Sequence, residues 1–415
     1  MSGLALVAGA LGAEVTGSDR AESSYMARLR ERGIDPVIGH ATENVPGDAE
    51  VVYSSAVTAE NPERRAAAGR ELHRADLLAQ IAALRRCIAI TGTHGKTTTS
   101  AMVVHALRGA GLDPAYVVGG ELRSTGANAG WGEGEWIVVE ADESDRSLLK
   151  LKPEIALLTN AELDHHATYR SRLDLEQTFR AFMSSARRPV VWNRPELVAL
   201  CPDAQTYDAP APVLSPEGSR FRWRELEVRL AVPGAHNAIN AAGALTAATL
   251  AGADAAAAAS ALAGFRGARR RFELLGQTAA GALVFDDYAH HPTEVSAALA
   301  AARTLEPRRL AAVFQPHLFS RTQALARDFG AALAAADAAV VLPIYAARER
   351  PDDFPGVDGR LVAAAAADQG GGRPVAWLPG FADAERYLAA TLREGDLCLM
   401  MGAGNIDALA RSLVG

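Results

Sequence analysis

Cys87-Ile88-Ala89-Ile90-Thr91-Gly92-Thr93-His94-Gly95-Lys96-Thr97-Thr98-Thr99 runs from an apolar, strand-like segment through a glycine-bearing turn into a helical stretch at 98–109. That order points several backbone N–H groups and the positive end of a helix dipole at one anion. A phosphate is the expected anion: Lys96 neutralises its terminal charge, and the Thr97 hydroxyl is placed to ligate Mg²⁺. The strict phosphate-loop pattern wants glycine five residues before Gly95, where Ile90 stands. The Gly95-Lys96-Thr97 core, flanked by strand and helix signals, carries the reading against the bland one of a glycine turn with a chance lysine. Lys96, Lys150 and Lys152 are the only lysines in the chain, so one at this place is pointed. Nucleotide binding is expected.

The 415 residues exceed what one core supports and imply about two to four domains. With 49% hydrophobic and 22% charged residues, the composition is that of a soluble globular protein. A net charge of -7 speaks against a nucleic-acid surface, and the arginine clusters are short and scattered. Cys87, Cys201 and Cys398 are odd in number and far apart, which suits reduced thiols in a cytoplasmic protein rather than a disulfide framework or a zinc site. No run approaches the roughly 20 apolar residues of a membrane span. The apolar opening, 1–13, lacks a basic leader and is read as a helix followed by a strand, not as a signal-peptide core. Alanine tracts near Ala255, Ala331 and Ala363 are read as ordinary helices.

Short β-branched runs alternate with helical stretches, the pattern of parallel sheets with helices on their faces. Three modules follow: 1–84, 85–264 and 265–415. The first has strands at 14–17 and 51–54 and helices at 24–32 and 75–84. The second has strands at 87–91, 136–140, 155–159 and 190–193, an antiparallel appendage at 221–230, and a helix from about Asn237. The third shows four strand–helix units, with strands at 282–286, 310–314, 339–342 and 397–401 and a short one at 374–378. Ligands of open parallel sheets bind beyond the carboxyl ends of strands, so the residues there are the candidates.

Glu140 ends one such strand and is read as a metal ligand beside Thr97. The following Asp142, Glu143 and Asp145 are equally read as a solvated acidic loop. The next strand leads to Asp164-His165-His166, where a histidine would hold a second Mg²⁺ or act as a base. Two adjacent histidines alternate in direction, so one of them points into the site. In the third module Arg269 to Arg271, Asp286 to His291 and Gln315 to Arg321 each follow apolar segments, and Pro292 opens a helix. Arginine and histidine donors arriving from a separate domain suit phosphoryl transfer completed by closure.

These motifs together resemble the Mur ligase family over essentially the whole length. The carriers are Gly92 to Thr99, Glu140 to Asp145, Thr159 to His165, Pro233-Gly234-Ala235-His236-Asn237, Arg270-Arg271-Phe272-Glu273, Asp287 to Glu294, Phe314 to Thr322 and Gly402 to Ile406. Most members carry asparagine where this chain has His94. The ligase that recycles murein tripeptide shares that histidine, whereas Ser144-Asp145-Arg146-Ser147-Leu148-Leu149 resembles the alanine-adding branch. The resemblance implies a Rossmann-like UDP-sugar domain, a central ATPase sheet and a C-terminal Rossmann-like domain. It implies ATP-dependent addition of L-alanine to UDP-N-acetylmuramate through an acyl phosphate, in cytoplasmic peptidoglycan precursor synthesis, by a monomer or homodimer without nucleic-acid or membrane partners.

Carried over by motif, Gly92, Thr93, His94, Gly95, Lys96, Thr97 and Thr98 cradle ATP, with Lys96 on the β- and γ-phosphates. Thr97 and Glu140 hold the first Mg²⁺, and Glu140 and His165 the second. Asn237 approaches the adenine, while Arg271 and Asp287 reach the ribose and phosphates. Lys96, Glu140, His165 and Arg271 are the implied catalytic set. His290, His317, Ser320 and Arg321 are the implied contacts near the amino-acid pocket, and Ser2, Gly3, Asp19 and Ser55 those of the UDP-sugar face.

Family members place a strand and a Gly-x-Gly-Gly-x-Gly type turn ahead of the Met-Ser-Gly with which this chain opens. Either the true start lies upstream, or UDP-sugar binds poorly and the first sheet lacks its central, first strand. The competing functions are a murein tripeptide-adding ligase of the same family, an inactive nucleotide or UDP-sugar sensor, and a P-loop kinase or transport ATPase, which the His317 to Arg321 cluster disfavours.

Overall fold

The computed structural model describes residues 1–165 and 168–414, so His166 lies outside the described residues. Contacts divide the chain into two compact units. The first comprises Met1–Ala161, Leu173–Tyr207 and Gly243–Ala261; the second comprises Glu162–Arg172, Asp208–Ala242 and Leu262–Gly415.

The first unit opens with helix α1 (Ser2–Ala10), which packs on the central sheet's edge strand through small residues. Two separate parallel pairs follow, β1 (Ser18–Asp19) with β2 (Val37–Ile38) and β3 (Val51–Tyr53) with β4 (Glu71–His73). The strand expected at 14–17 is displaced, because the ladder begins only where Val37 N–H reaches the Gly17 carbonyl at 2.9 Å. Helix α2 (Arg74–Ala82) leads into the central sheet.

That sheet contains β5 (Arg86–Thr91), β6 (Ala115–Leu122), β7 (Ala127–Gly130), β8 (Trp136–Glu140), β9 (Ile155–Leu158), β10 (Arg188–Trp192) and β11 (Gln205–Tyr207). Their spatial order is β11-β10-β9-β5-β8-β6-β7, parallel except for β7. Strand β5 therefore lies where the order reverses, with β8 on one side and β9 on the other, the place where such sheets bind ligands. Burial on both faces explains the unbroken apolar runs: Ile88 to Ile90, Ile137 to Val139 and Ile155 to Leu158 are all 0% exposed. Helix α3 (Lys96–Gly109) starts two residues before the stretch expected at 98–109, because Gly95 adopts φ 79° and turns the chain into it.

In the second unit β12 (Val213–Ser215), β13 (Gly218–Trp223) and β14 (Leu226–Leu230) form the expected antiparallel appendage. A six-stranded sheet holds β15 (Glu273–Gln277), β16 (Leu283–Asp287), β17 (Arg309–Phe314), β18 (Ala338–Val341), β19 (Val375–Trp377) and β20 (Asp396–Met401), ordered β15-β16-β20-β17-β18-β19. All are parallel except β15, an edge strand that the sequence pattern does not announce. Helix α4 (Pro292–Arg303) opens on Pro292 with His291 as its cap, and α5 (Phe319–Leu333) and α6 (Gly359–Gln369) pack together on one face. Among the described residues no helix is long and apolar enough to cross a membrane. All three cysteines are buried free thiols, and burial pushes Cys87 and Cys398 up to about 12.

The α5–α6 contact depends on Gly330, where a Cβ would lie 2.5 Å from the Ala365 carbonyl carbon. Alanine is better than glycine in a helix by about 1 kcal/mol. Forcing two packed helices apart costs about 1–3 kcal/mol, and the steric term wins. Gly330→Ala is expected to lower the urea midpoint of the protein.

Candidate functional site

The turn after β5 is clamped by the residues that follow β9. Thr159 Oγ1 donates to the carbonyls of His94 (2.7 Å) and Thr91 (3.1 Å). Asn160 accepts from His94 N at 2.9 Å through Oδ1 and donates to the His94 carbonyl at 3.0 Å through Nδ2. Gly92 is at φ 130°, and any Cβ there would overlap Thr159 Oγ1. These contacts hold the loop backbone and deliver Gly95 and the N-terminus of α3 to the mouth of the sheet. Thr159 and Asn160 were legible as strand-end residues but not as this clamp.

Lys96 lies folded over the loop. Its Nζ donates to the carbonyls of Gly92 (2.7 Å) and Thr93 (3.1 Å) and to Glu143 Oε1 (2.9 Å). Burial works against the ammonium, yet Glu143, with Asp142 and Glu140, raises it above the ordinary lysine range. Thr97 Oγ1 donates to Glu140 Oε1 at 3.1 Å, and Gly119 N–H donates to Glu140 Oε2 at 2.7 Å. Lys96, Thr97 and Glu140 are therefore brought together by β5, α3 and β8. A hydroxyl and a carboxylate oxygen in contact are a hard donor pair of the kind Mg²⁺ takes.

The solvated-loop alternative for the acidic stretch does not hold. Glu143 is 0% exposed against Lys96. Asp142 and Asp145 both accept from Arg74 Nη2, at 2.9 and 2.8 Å. Ser55 Oγ donates to Asp145 Oδ2 at 2.7 Å, and Asn128 Nδ2 lies 3.4 Å from Ser2 Oγ, with Gly3 packed against the same Asn128. Exposed Asp19 accepts from the backbone N–H of Arg20.

The second unit gathers a different cluster. Arg321 and Asp164, 2% and 3% exposed, form a two-pronged pair at 2.9 and 3.0 Å. Arg321 also reaches His317 Nδ1 at 3.0 Å. The His290 ring meets His317 edge-on at 6.0 Å, and Tyr345 stacks on the other histidine at 5.8 Å. Burial lowers His290 to about 4 and His317 to about 3, so both rings are neutral at neutral pH. Ser320 N–H donates to Glu349 Oε2 at 3.0 Å, and its hydroxyl to Glu349 Oε1. His165, at φ 53°, donates its backbone N–H to Asp164 Oδ1 at 2.7 Å. Asp164, Tyr345 and Glu349 were not singled out from sequence, since their partners are remote in the chain.

Elsewhere in this unit Asn237 is buried and its Nδ2 donates to the Pro233 carbonyl at 2.7 Å. Asp287 accepts from the backbone N–H groups of Phe272 (2.8 Å) and Ala289 (2.7 Å). Burial pushes Asp287 up to about 7 against the pull of neighbouring Arg271, whose guanidinium lies 5.0 Å from the Tyr288 ring. Arg270 pairs with Asp286 at 3.0 Å instead.

Burial opposes the Asp164 charge, but the Arg321 guanidinium holds its carboxyl well below the usual carboxylate range. A depressed carboxyl contributes stability above the unfolded value of about 3.9, and that stability is lost as pH falls towards the folded value. Removing one partner of a buried pair costs about 3–5 kcal/mol. Asp164→Asn is therefore expected to destabilise the protein by about 3 kcal/mol at neutral pH. The gap from the unsubstituted protein should narrow below about pH 4 in urea titrations.

Comparison with known proteins places this geometry in a family. Residues 1–86 match the Mur ligase family catalytic domain, 90–248 the Mur ligase middle domain, and 270–404 the Mur ligase glutamate ligase domain. The UDP-N-acetylmuramate–L-alanine ligase of Acidithiobacillus ferrooxidans is 43% identical, over 99% of this chain and 94% of its own. That of Streptomyces griseus is 42% identical, over 99% and 93%. The crystal structure of the UDP-N-acetylmuramate–alanine ligase of Thermotoga maritima matches with a TM-score of 0.84 and 28% identity, covering 100% of this chain and 95% of that one. The fold is the three-domain α/β architecture of that structure. On this identity over nearly its whole length, the chain belongs to the Mur ligase family.

Proposed function

We propose that the chain is an ATP-dependent amide-forming ligase that joins L-alanine to UDP-N-acetylmuramate in peptidoglycan precursor synthesis, acting in the cytoplasm. The observation that carries the reading is the meeting of Lys96, Thr97 and Glu140 at the switch point of the central sheet. The relatives named for that reaction supply the substrates. Residues 1–84 are assigned to the UDP-sugar, 85–264 to ATP and 265–415 to the ligation step.

A carboxylate is a poor acyl donor because its leaving group would be oxide. Phosphorylating it first makes phosphate the leaving group, and the alanine amine then displaces it to form the amide. Lys96, relieved of Glu143, would lie on the β- and γ-phosphates, where a fixed cation offsets charge that grows in the transition state. Thr97 and Glu140 would hold Mg²⁺, with His165 a ligand of a second ion; the metal would supply further neutralisation of the phosphoryl oxygens. Asn237, Arg271 and Asp287 are assigned to the nucleotide. His290, His317, Ser320 and Arg321 are assigned to the amino-acid pocket, and Ser2, Gly3, Asp19 and Ser55 to the sugar face.

Lys96→Ala is expected to lower substrate-dependent ADP release by about a hundredfold or more, measured with saturating ATP, UDP-N-acetylmuramate and L-alanine. Near-normal turnover would remove the role assigned to the loop. In the same assay L-alanine is expected to outcompete a preformed murein tripeptide as acceptor; the reverse order would reassign the acceptor.

A further inference from the structure

Helix α2 begins at Arg74, and His73 caps it by accepting from Ala75 N–H at 3.2 Å. One nitrogen of Arg74, Nη2, serves both Asp142 and Asp145. Asp145 is held further by Ser147 N–H at 3.0 Å and by Ser55 Oγ, which also contacts His73 Nε2 at 3.1 Å. Between the two aspartates in the chain stands Glu143, whose carboxylate holds Lys96. All of these residues belong to the first unit. The short acidic loop thus has both flanks fastened to the start of α2 and its middle fastened to the lysine of the phosphate loop.

We propose that Arg74 is a positioning residue that couples nucleotide binding at Lys96 to UDP-sugar binding at Ser55; this rests on the ligase reading above. A triphosphate that takes Lys96 draws that ammonium away from buried Glu143, so the loop carrying Glu143 has to readjust. Arg74 ties Asp142 to Asp145 through one nitrogen, so the two flanks and the Glu143 between them shift as one. A ligand that draws the Ser55 hydroxyl away from Asp145 removes one of the loop's ties and makes the readjustment easier. Each ligand therefore favours the other, and by linkage the factor is the same in both directions. Lysine would be a partial substitute for Arg74, a single ammonium on a more flexible stem.

The test titrates the full chain with a non-hydrolysable ATP analogue and Mg²⁺, with and without saturating UDP-N-acetylmuramate. The sugar nucleotide is expected to tighten the analogue about fivefold or more in the unsubstituted protein, to leave a factor of about one in Arg74→Gln, and to act between these limits in Arg74→Lys. Equal factors in all three proteins, or no effect of sugar in the unsubstituted protein, would overturn the coupling while leaving the ligase reading intact. An unsubstituted protein that does not bind the analogue would instead overturn the ligase reading, and the coupling with it. Thermal melts establish that Arg74→Gln is folded. If it is not, Ser55→Ala decides the matter, because loss of the tie to Asp145 should tighten the analogue with no sugar present. A mere sugar contact would not do that, and unchanged affinity in Ser55→Ala would sink the proposal.

Discussion

A buried ammonium needs an anion, and much of the first unit is arranged around that requirement at Lys96. The glycine turn after β5 leaves two carbonyls within reach of Nζ, and β8 ends so that Glu143 closes the remaining side. On the proposed reading a phosphate would enter by exchange, replacing a carboxylate, so that the site would never hold a bare cation. The clamp of Thr159 and Asn160 would make such an exchange a side-chain event, because the loop backbone is already fixed by hydrogen bonds from the neighbouring strand end.

The second unit solves a comparable problem with the signs reversed. Asp164 would be a costly buried carboxylate on its own, and Arg321 meets it with two parallel hydrogen bonds. Neutral His290 and His317 then line the same neighbourhood without adding charge. Both units place their polar chemistry at the carboxyl ends of parallel strands, where apolar β5, β8, β16 and β17 run out and side chains are released from the core.

How much of this could be read from sequence follows from the distance between partners. The turn after β5 and the start of α3 are contiguous in the chain, so their shape could be read locally. Long apolar runs such as Ile155 to Leu158 and Leu397 to Met401 marked buried parallel strands. Strand β7, Ala127–Gly130, is made of poor strand formers and exists through its pairing with β6, so propensity could not reveal it. Asp142 and Asp145 could equally have been solvated, because their cation, Arg74, lies 68 and 71 residues away. Arg321 and Asp164 are 157 residues apart, and nothing local in either stretch names the other.

Two residues with side chains, Arg270 at φ 56° and Phe272 at φ 51°, bracket Arg271 in the left-handed backbone region. Adjacent arginines consequently leave the chain with separate duties: Arg270 binds Asp286 and the carbonyls of Gly402 and Gly404, while Arg271 remains beside Tyr288. The evolutionary room at this corner is narrow, since a β-branched residue at either bracketing position is excluded by backbone sterics before any ligand contact is considered. Drift in this arginine-rich corner is thus confined by the turn's own geometry, and asparagine or glycine is the substitute that the backbone itself would tolerate.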